Sequence, residues 1–110
     1  MSTEATVAVE EATDESVVLA VSGEVDLSNA AEVEGEILDR TSNTLTDVTL
    51  DLSAVTYLDS AGLRVLFTLA TRLLISQISL VLVVPLDSPV RRALELGGMN
   101  TVAEVRPTRS

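Results

Sequence analysis

The stretch Ile78-Ser79-Leu80-Val81-Leu82-Val83-Val84 is an almost unbroken apolar run, closed by Pro85. Such a run has no wet face to offer. It reads as a central strand covered on both sides, the habit of parallel sheets in α/β proteins. Pro85 lacks the N–H that a ladder needs and ends it. The other segments fit around that strand. Val7-Ala8-Val9 and Ser16-Val17-Val18-Leu19-Ala20-Val21 are short apolar runs on either side of the acidic stretch Glu10 to Glu15, a pattern that predicts an antiparallel hairpin. Ser28-Asn29 signals a helix start, with Asn29 and Glu32 as a capping pair. Ala30, Val33 and Ile37, extended by Thr41, recur at helical spacing, while Glu32, Glu36 and Asp39 face outward. Gly35 weakens this helix by up to about 1 kcal/mol relative to alanine. Val48 to Leu52 predicts the next strand and residues 60–75 a second helix. Ser88-Pro89 opens a third helix, a cap followed by proline at the first helical position, and Gly97 stops it. Thr101 to Val105 closes with a last strand. The order β-β-α-β-α-β-α-β defines a single α/β domain, a mixed β-sheet covered by helices.

Composition removes whole classes of function. In 110 residues the chain supports one modest core, and with Tyr57 and Phe67 as the only aromatics that core is built from Val, Leu, Ile and Ala. Without cysteine there is no disulfide, thiolate nucleophile or Cys-ligated metal. Without histidine the usual neutral-pH base and commonest metal ligand are missing. All seven basic residues are arginine, so a nucleotide loop that needs lysine is absent. The net charge of −10 repels nucleic acid and favours a basic partner surface. Met1-Ser2-Thr3-Glu4 has no signal-peptide character, and the apolar run from Leu73 to Leu86 is shorter than the roughly 20 residues a bilayer span needs. The expectation is a cytoplasmic protein with no membrane insertion, no cofactor and no metal.

Residues 51–63, Asp51-Leu52-Ser53-Ala54-Val55-Thr56-Tyr57-Leu58-Asp59-Ser60-Ala61-Gly62-Leu63, read as strand, turn and helix start. This junction sets the Ser60 hydroxyl beside a carboxylate at the positive end of a helix. With Asp59 as the cap, Ser60 falls in the first turn, where backbone N–H groups lack helical partners. A phosphate there gains on the order of 0.3–1 kcal/mol from those donors and the helix dipole. Arg64, at the i+4 position, can pair with it across the helix surface. The plain alternative is that Asp59 and Ser60 are ordinary capping residues. On the same helix Leu63, Leu66, Phe67, Ala70, Leu73 and Leu74 fall on one broad core face, with Ser60, Arg64, Thr68 and Thr71 along its edge. Val65 and Leu69 lie between core face and polar stripe, only partly covered by their own domain. They read either as marginal burial or as a contact surface continuous with Ser60.

Catalytic readings find little support. A serine hydrolase needs a base for Ser60, and only carboxylates are on offer. Asp-Ser-Ala-Gly is one residue longer than the Asp-Ser-Gly of aspartic proteases and has no second copy. Asp51 and Asp59 could suggest a Mg²⁺ pair or a phospho-aspartate receiver, but the receiver lysine is absent and lone aspartates beside strands are common turn chemistry. The acidic clusters Glu10-Glu11 and Glu32 to Glu36 read as solvated faces. No enzymatic turnover is expected.

Four ordered segments carry a family resemblance. They are Val21-Ser22-Gly23-Glu24-Val25-Asp26-Leu27, Leu50-Asp51-Leu52-Ser53, Asp59-Ser60-Ala61-Gly62-Leu63 and Pro89-Val90-Arg91-Arg92-Ala93-Leu94-Glu95. Together they resemble a STAS domain, the sulphate-transporter and anti-sigma-factor-antagonist module, spanning residues 6–106 between a flexible N-terminus (residues 1–5) and a frayed tail (residues 107–110). The resemblance implies a partner-switching antagonist. Unphosphorylated, it binds a histidine-kinase-like serine kinase that doubles as an anti-sigma factor; phosphorylated on Ser60, it lets go, and a PP2C-type phosphatase resets it. Asp26 falls in the family's partner-binding loop, and Asp59, Ser60, Gly62, Arg64, Val65 and Leu69 complete the expected contact surface. Other modules of this fold are subunits of lipid transporters, scaffolds in stress-signalling complexes or nucleotide-binding sensors. Two departures stand out. Leu74-Ile75-Ser76-Gln77-Ile78 replaces a glycine-containing turn, leaving Ile75 as a candidate homodimer contact about 24 Å along the helix from Ser60. Val102 stands where a large aromatic is common.

Overall fold

A computed structural model describes residues 4–109. Of the termini expected to be flexible or frayed, residues 1–3 and Ser110 lie outside the described residues. Within them the chain forms β1 (Ala5–Ala12), β2 (Ser16–Val25), α1 (Ala30–Asp39), β3 (Asp47–Leu58), α2 (Ser60–Ile75), β4 (Ser79–Val83), α3 (Arg91–Leu96) and β5 (Glu104–Arg106), with a 3-10 turn at Met99–Thr101. The strands lie in sequence order, β1-β2-β3-β4-β5. The first pair is antiparallel, the expected hairpin, and the other three pairs are parallel. Parallel neighbours need a crossover, and α1, α2 and α3 supply one each.

The alternation of burial shows which face carries the helices. Val17, Leu19 and Val21 of β2, Val48, Leu50 and Leu52 of β3, and Leu80 and Leu82 of β4 join one cluster with Ala30, Val33 and Ile37 of α1, Leu66, Ala70 and Leu73 of α2, and Leu94 of α3. Val18, Ala20, Thr49, Asp51 and Val81 point to the opposite face and are only half-buried. This corrects the reading of the 78–84 run. The central strand is β3, and β4 lies between it and the short edge strand β5. Val83 is nonetheless buried, outside the main cluster.

Several boundaries differ from expectation for identifiable reasons. Glu10, Glu11 and Ala12, expected in the acidic turn, continue β1, with a bulge between Val9 and Glu11 absorbing the shift in register. The expected Asn29–Glu32 capping pair does not form. Asn29 is buried and turns its amide backward instead, accepting from the Asp26 N–H (3.0 Å) and donating to the Glu24 carbonyl (2.8 Å). Its side chain therefore pins the loop before α1 rather than the helix amides. In the third helix, Ser88-Pro89 forms a turn before Arg91, and the left-handed residue after Gly97 is Gly98, at φ 79°.

Candidate functional site

The end of β3 delivers Asp59 in an extended conformation, φ −95° and ψ −171°, as the N-cap of α2. Its Oδ1 accepts from the Ala61 and Gly62 N–H groups, each at 2.9 Å, and its carbonyl from Leu63 at 2.9 Å. Its Oδ2 accepts from the Leu27 N–H at 3.0 Å, and its own N–H donates to the Val25 carbonyl at 3.2 Å. One aspartate thus ties the end of β2, the loop before α1 and the start of α2 into a single block. The cap also revises the electrostatics expected for a phosphate. Asp59 already takes the N–H groups of Ala61 and Gly62, so the helix end has few free donors left and carries a negative charge of its own.

Ser60 is the first residue of α2 and is exposed, and its hydroxyl makes no hydrogen bond among the described residues. Arg64, one turn along, is also exposed and forms no ion pair among the described residues. With Asp59 occupying the helix amides, Arg64 is the main cationic group within reach of an anion on Ser60.

Gly62, expected in the contact surface, is buried. A Cβ built on it would sit 2.7 Å from the Val25 carbonyl oxygen and 3.0 Å from Leu58 Cδ2, so glycine here is what lets α2 approach the end of β2. Val65 and Leu69 are likewise corrected: at 8 % and 1 % exposure they belong to the core. Both fall on the side of α2 that meets the core cluster containing α1, whereas Leu74, placed on the core face from sequence, is 59 % exposed. Two further members of that face, Leu63 and Phe67, are only half-buried. The apolar stripe of α2 is rotated relative to the sequence reading because α1 packs beside it as well as the sheet beneath.

Asp26 sits in the loop, its Oδ1 accepting from the Ser28 N–H (2.9 Å) and hydroxyl (2.6 Å), and its carbonyl from the N–H groups of Asn29 and Ala30. Between this loop, α1 and α2 lies a surface groove of about 400 Å³. Leu27, Ala30, Ala31 and Glu34 line one side; Ser60, Ala61, Arg64, Val65 and Thr68 line the other. The structure therefore brings Asp59, Ser60 and Arg64 together, with Asp26 beside them and Val65 reaching the surface only at the groove floor. Leu27 and the groove escaped the sequence reading, because the groove forms only where the loop, α1 and α2 pack side by side.

Asp51 belongs elsewhere. Its carboxylate accepts from the Ser53 N–H (2.9 Å) and hydroxyl (2.5 Å) and from Arg109 Nε (2.7 Å), and Arg109 also reaches Glu10 on β1. Burial raises the Asp51 carboxyl, but Ser53 and Arg109 together outweigh it and hold the group below its ordinary value. Asp51 and Asp59 thus serve separate networks. Among the described residues no group of three or more acidic, histidine or cysteine side chains is placed to hold a metal ion. No helix among them is long and apolar enough to cross a membrane.

A five-stranded mixed sheet with an Asp-capped helix presenting Ser60 defines a known class. The chain belongs to the STAS domain family, whose model matches residues 7–110. It is 39% identical over 83 residues to the anti-sigma-F factor antagonist RsfB of Mycobacterium tuberculosis, an alignment covering 76% of this chain and 66% of RsfB. The chain thus spans slightly less than two thirds of that relative's length. It is also similar to the crystal structure of an anti-sigma factor antagonist from Mycobacterium paratuberculosis, with a TM-score of 0.82, 29% identity, and coverage of 96% of this chain and 88% of that one. The unphosphorylated form of the anti-sigma factor antagonist SpoIIAA shares the fold, with a TM-score of 0.73 at 19% identity over 94% of this chain and 90% of its own.

Proposed function

We propose that this chain is an anti-sigma factor antagonist that works by partner switching in the bacterial cytoplasm. Unphosphorylated, it binds a histidine-kinase-like serine kinase that serves as an anti-sigma factor, and so frees the sigma factor for transcription. The kinase then transfers the γ-phosphoryl group of ATP to Ser60. The Ser60 Oγ–P bond forms as the bond to ADP breaks, and the hydroxyl proton leaves to a base of the kinase. Phosphate adds about −1.5 to −2 charge to the surface the partner must cover, and the complex separates. A PP2C-type phosphatase hydrolyses the phosphoester and restores the binding form. The chain itself is a binding protein and needs no cofactor.

The observation that carries this reading is the Ser60 hydroxyl, exposed at the start of α2 and without a hydrogen bond among the described residues, with the Arg64 guanidinium, also unpaired among them, one turn away. The cap that positions Ser60 does not depend on the hydroxyl, since Asp59 alone takes the helix amides. A phosphate on Ser60 therefore changes the surface and leaves the fold in place. Arg64 offsets part of its charge, and Asp59 adds to it. The relatives called anti-sigma factor antagonists support the same assignment, as does the groove beside Ser60.

The test is incubation of the purified chain with its cognate kinase and ATP, followed by intact mass. Wild type gains one phosphate and Ser60→Ala gains none. Equal phosphorylation of the two would overturn the assignment.

A further inference from the structure

Leu27 is the most exposed large apolar side chain among the described residues, at 83 %. It is not a loose loop tip. Its N–H is held by Asp59, the Asp26 carbonyl before it takes the N–H groups of Asn29 and Ala30, and the buried Asn29 amide grips both Asp26 and Glu24. With its backbone held and its side chain left in water, Leu27 adds little to the fold's own burial. A backbone already ordered does lower the ordering cost of a contact with something else.

Behind Leu27 opens the groove between α1 and α2, floored by the buried Ala30 and Val65 and edged by the exposed Ala31. Its walls are small or aliphatic, and its lips carry opposite charges, Glu34 on α1 and Arg64 on α2. Ser60 stands in the same wall as Arg64. The geometry points to Leu27 as the principal apolar anchor of the complex, and to the groove as the socket for one aliphatic side chain of the serine-kinase anti-sigma factor. An arginine or lysine beside that side chain would meet Glu34, in keeping with the chain's net charge of −10. This inference rests on the proposed function and adds its contact residues.

It also gives the switch a physical form. A phosphate on Ser60, drawn toward Arg64, lies across the groove mouth. An aliphatic side chain entering there would have to strip water from a dianion, and the socket is closed to it without any movement of the backbone.

The test is calorimetric titration of the full chain against each serine-kinase anti-sigma factor encoded in its own genome, purified separately. Leu27→Ser removes the anchor, and Ala31→Phe, at an exposed α1 position, fills the socket. Each should weaken binding by about tenfold or more with the thermal midpoint unchanged, while Leu27→Met stays within about threefold of wild type. If both Leu27→Ser and Ala31→Phe bind within about twofold of wild type, the anchor and socket are refuted and the proposed function stands. If wild type binds none of these factors, the proposed function fails and the anchor fails with it.

Discussion

The Leu27 N–H donates to Asp59 Oδ2 across 3.0 Å, while the other carboxylate oxygen of Asp59 holds the N–H groups of Ala61 and Gly62. The loop before α1 and the first turn of α2 are therefore bound to one side chain. Asp59→Ala should lower stability by about 1–2 kcal/mol, the upper part of the range for losing an N-cap. Urea unfolding with an unchanged m-value checks this. Asp59→Asn, which keeps one carbonyl oxygen, should lose less. A variant lacking the carboxylate but as stable as wild type would mean that the cap holds nothing.

Gly62→Ala sets two effects against each other. Alanine favours a helix over glycine by about 1 kcal/mol. Its Cβ, however, would lie 2.7 Å from the Val25 carbonyl oxygen, a backbone atom that cannot swing aside. The clash should win, with a net loss of about 1–3 kcal/mol in thermal or urea unfolding. A stabilised Gly62→Ala would contradict the close packing of α2 on β2.

The opposite sign is expected at the far end of α2. Gln77 holds φ 61°, the left-handed region, where its N–H reaches the Leu74 carbonyl (3.1 Å) and the Ile78 N–H reaches that of Leu73 (2.8 Å). These two bonds make a Schellman ending, usually closed by glycine. Gln77→Gly should stabilise the protein by up to about 1 kcal/mol, the left-handed penalty of a side chain less the flexibility glycine brings. Comparison of urea midpoints decides it.

Asp51 gives a pH signature. Ser53 and Arg109 hold its folded-state pKa below the unfolded value, so the contribution is fully present above the unfolded pKa. It is lost as pH falls through the folded pKa. Arg109→Ala should therefore destabilise the protein slightly at neutral pH, as expected for a solvent-screened pair, and not at all in strong acid. A deficit that persists in acid would assign Arg109 another role.

Much of this was legible in the sequence. The hairpin, the two longer helices and the cap at Asp59 follow from local chemistry, namely β-branched runs, apolar spacing and a carboxylate two and three residues before free amides. What the sequence hid depends on neighbours. Val65 and Leu69 look marginal on an isolated helical wheel and become core only because α1 lies against that flank of α2. Gly62 looks like part of a surface motif, yet its reason is a carbonyl on another strand. Asn29 looks like a helix cap and is spent on the loop behind it. Leu27, next to Asp26 in the loop, carries no local sign that its side chain stays in water. The apolar run at 78–84 marks a buried strand correctly but cannot say which strand is central, because that depends on where β5 pairs.

Partner switching requires that the phosphorylation state of Ser60 decide whether the partner stays bound. It is tested by measuring the affinity of the purified serine-kinase anti-sigma factor for the chain before and after complete phosphorylation, with the phosphate located by peptide mass. The unphosphorylated chain should bind, and phosphate on Ser60 should weaken binding by about tenfold or more, with Ser60→Ala locked in the binding state. Equal affinity of the two forms, or a phosphate found on another residue, would contradict it.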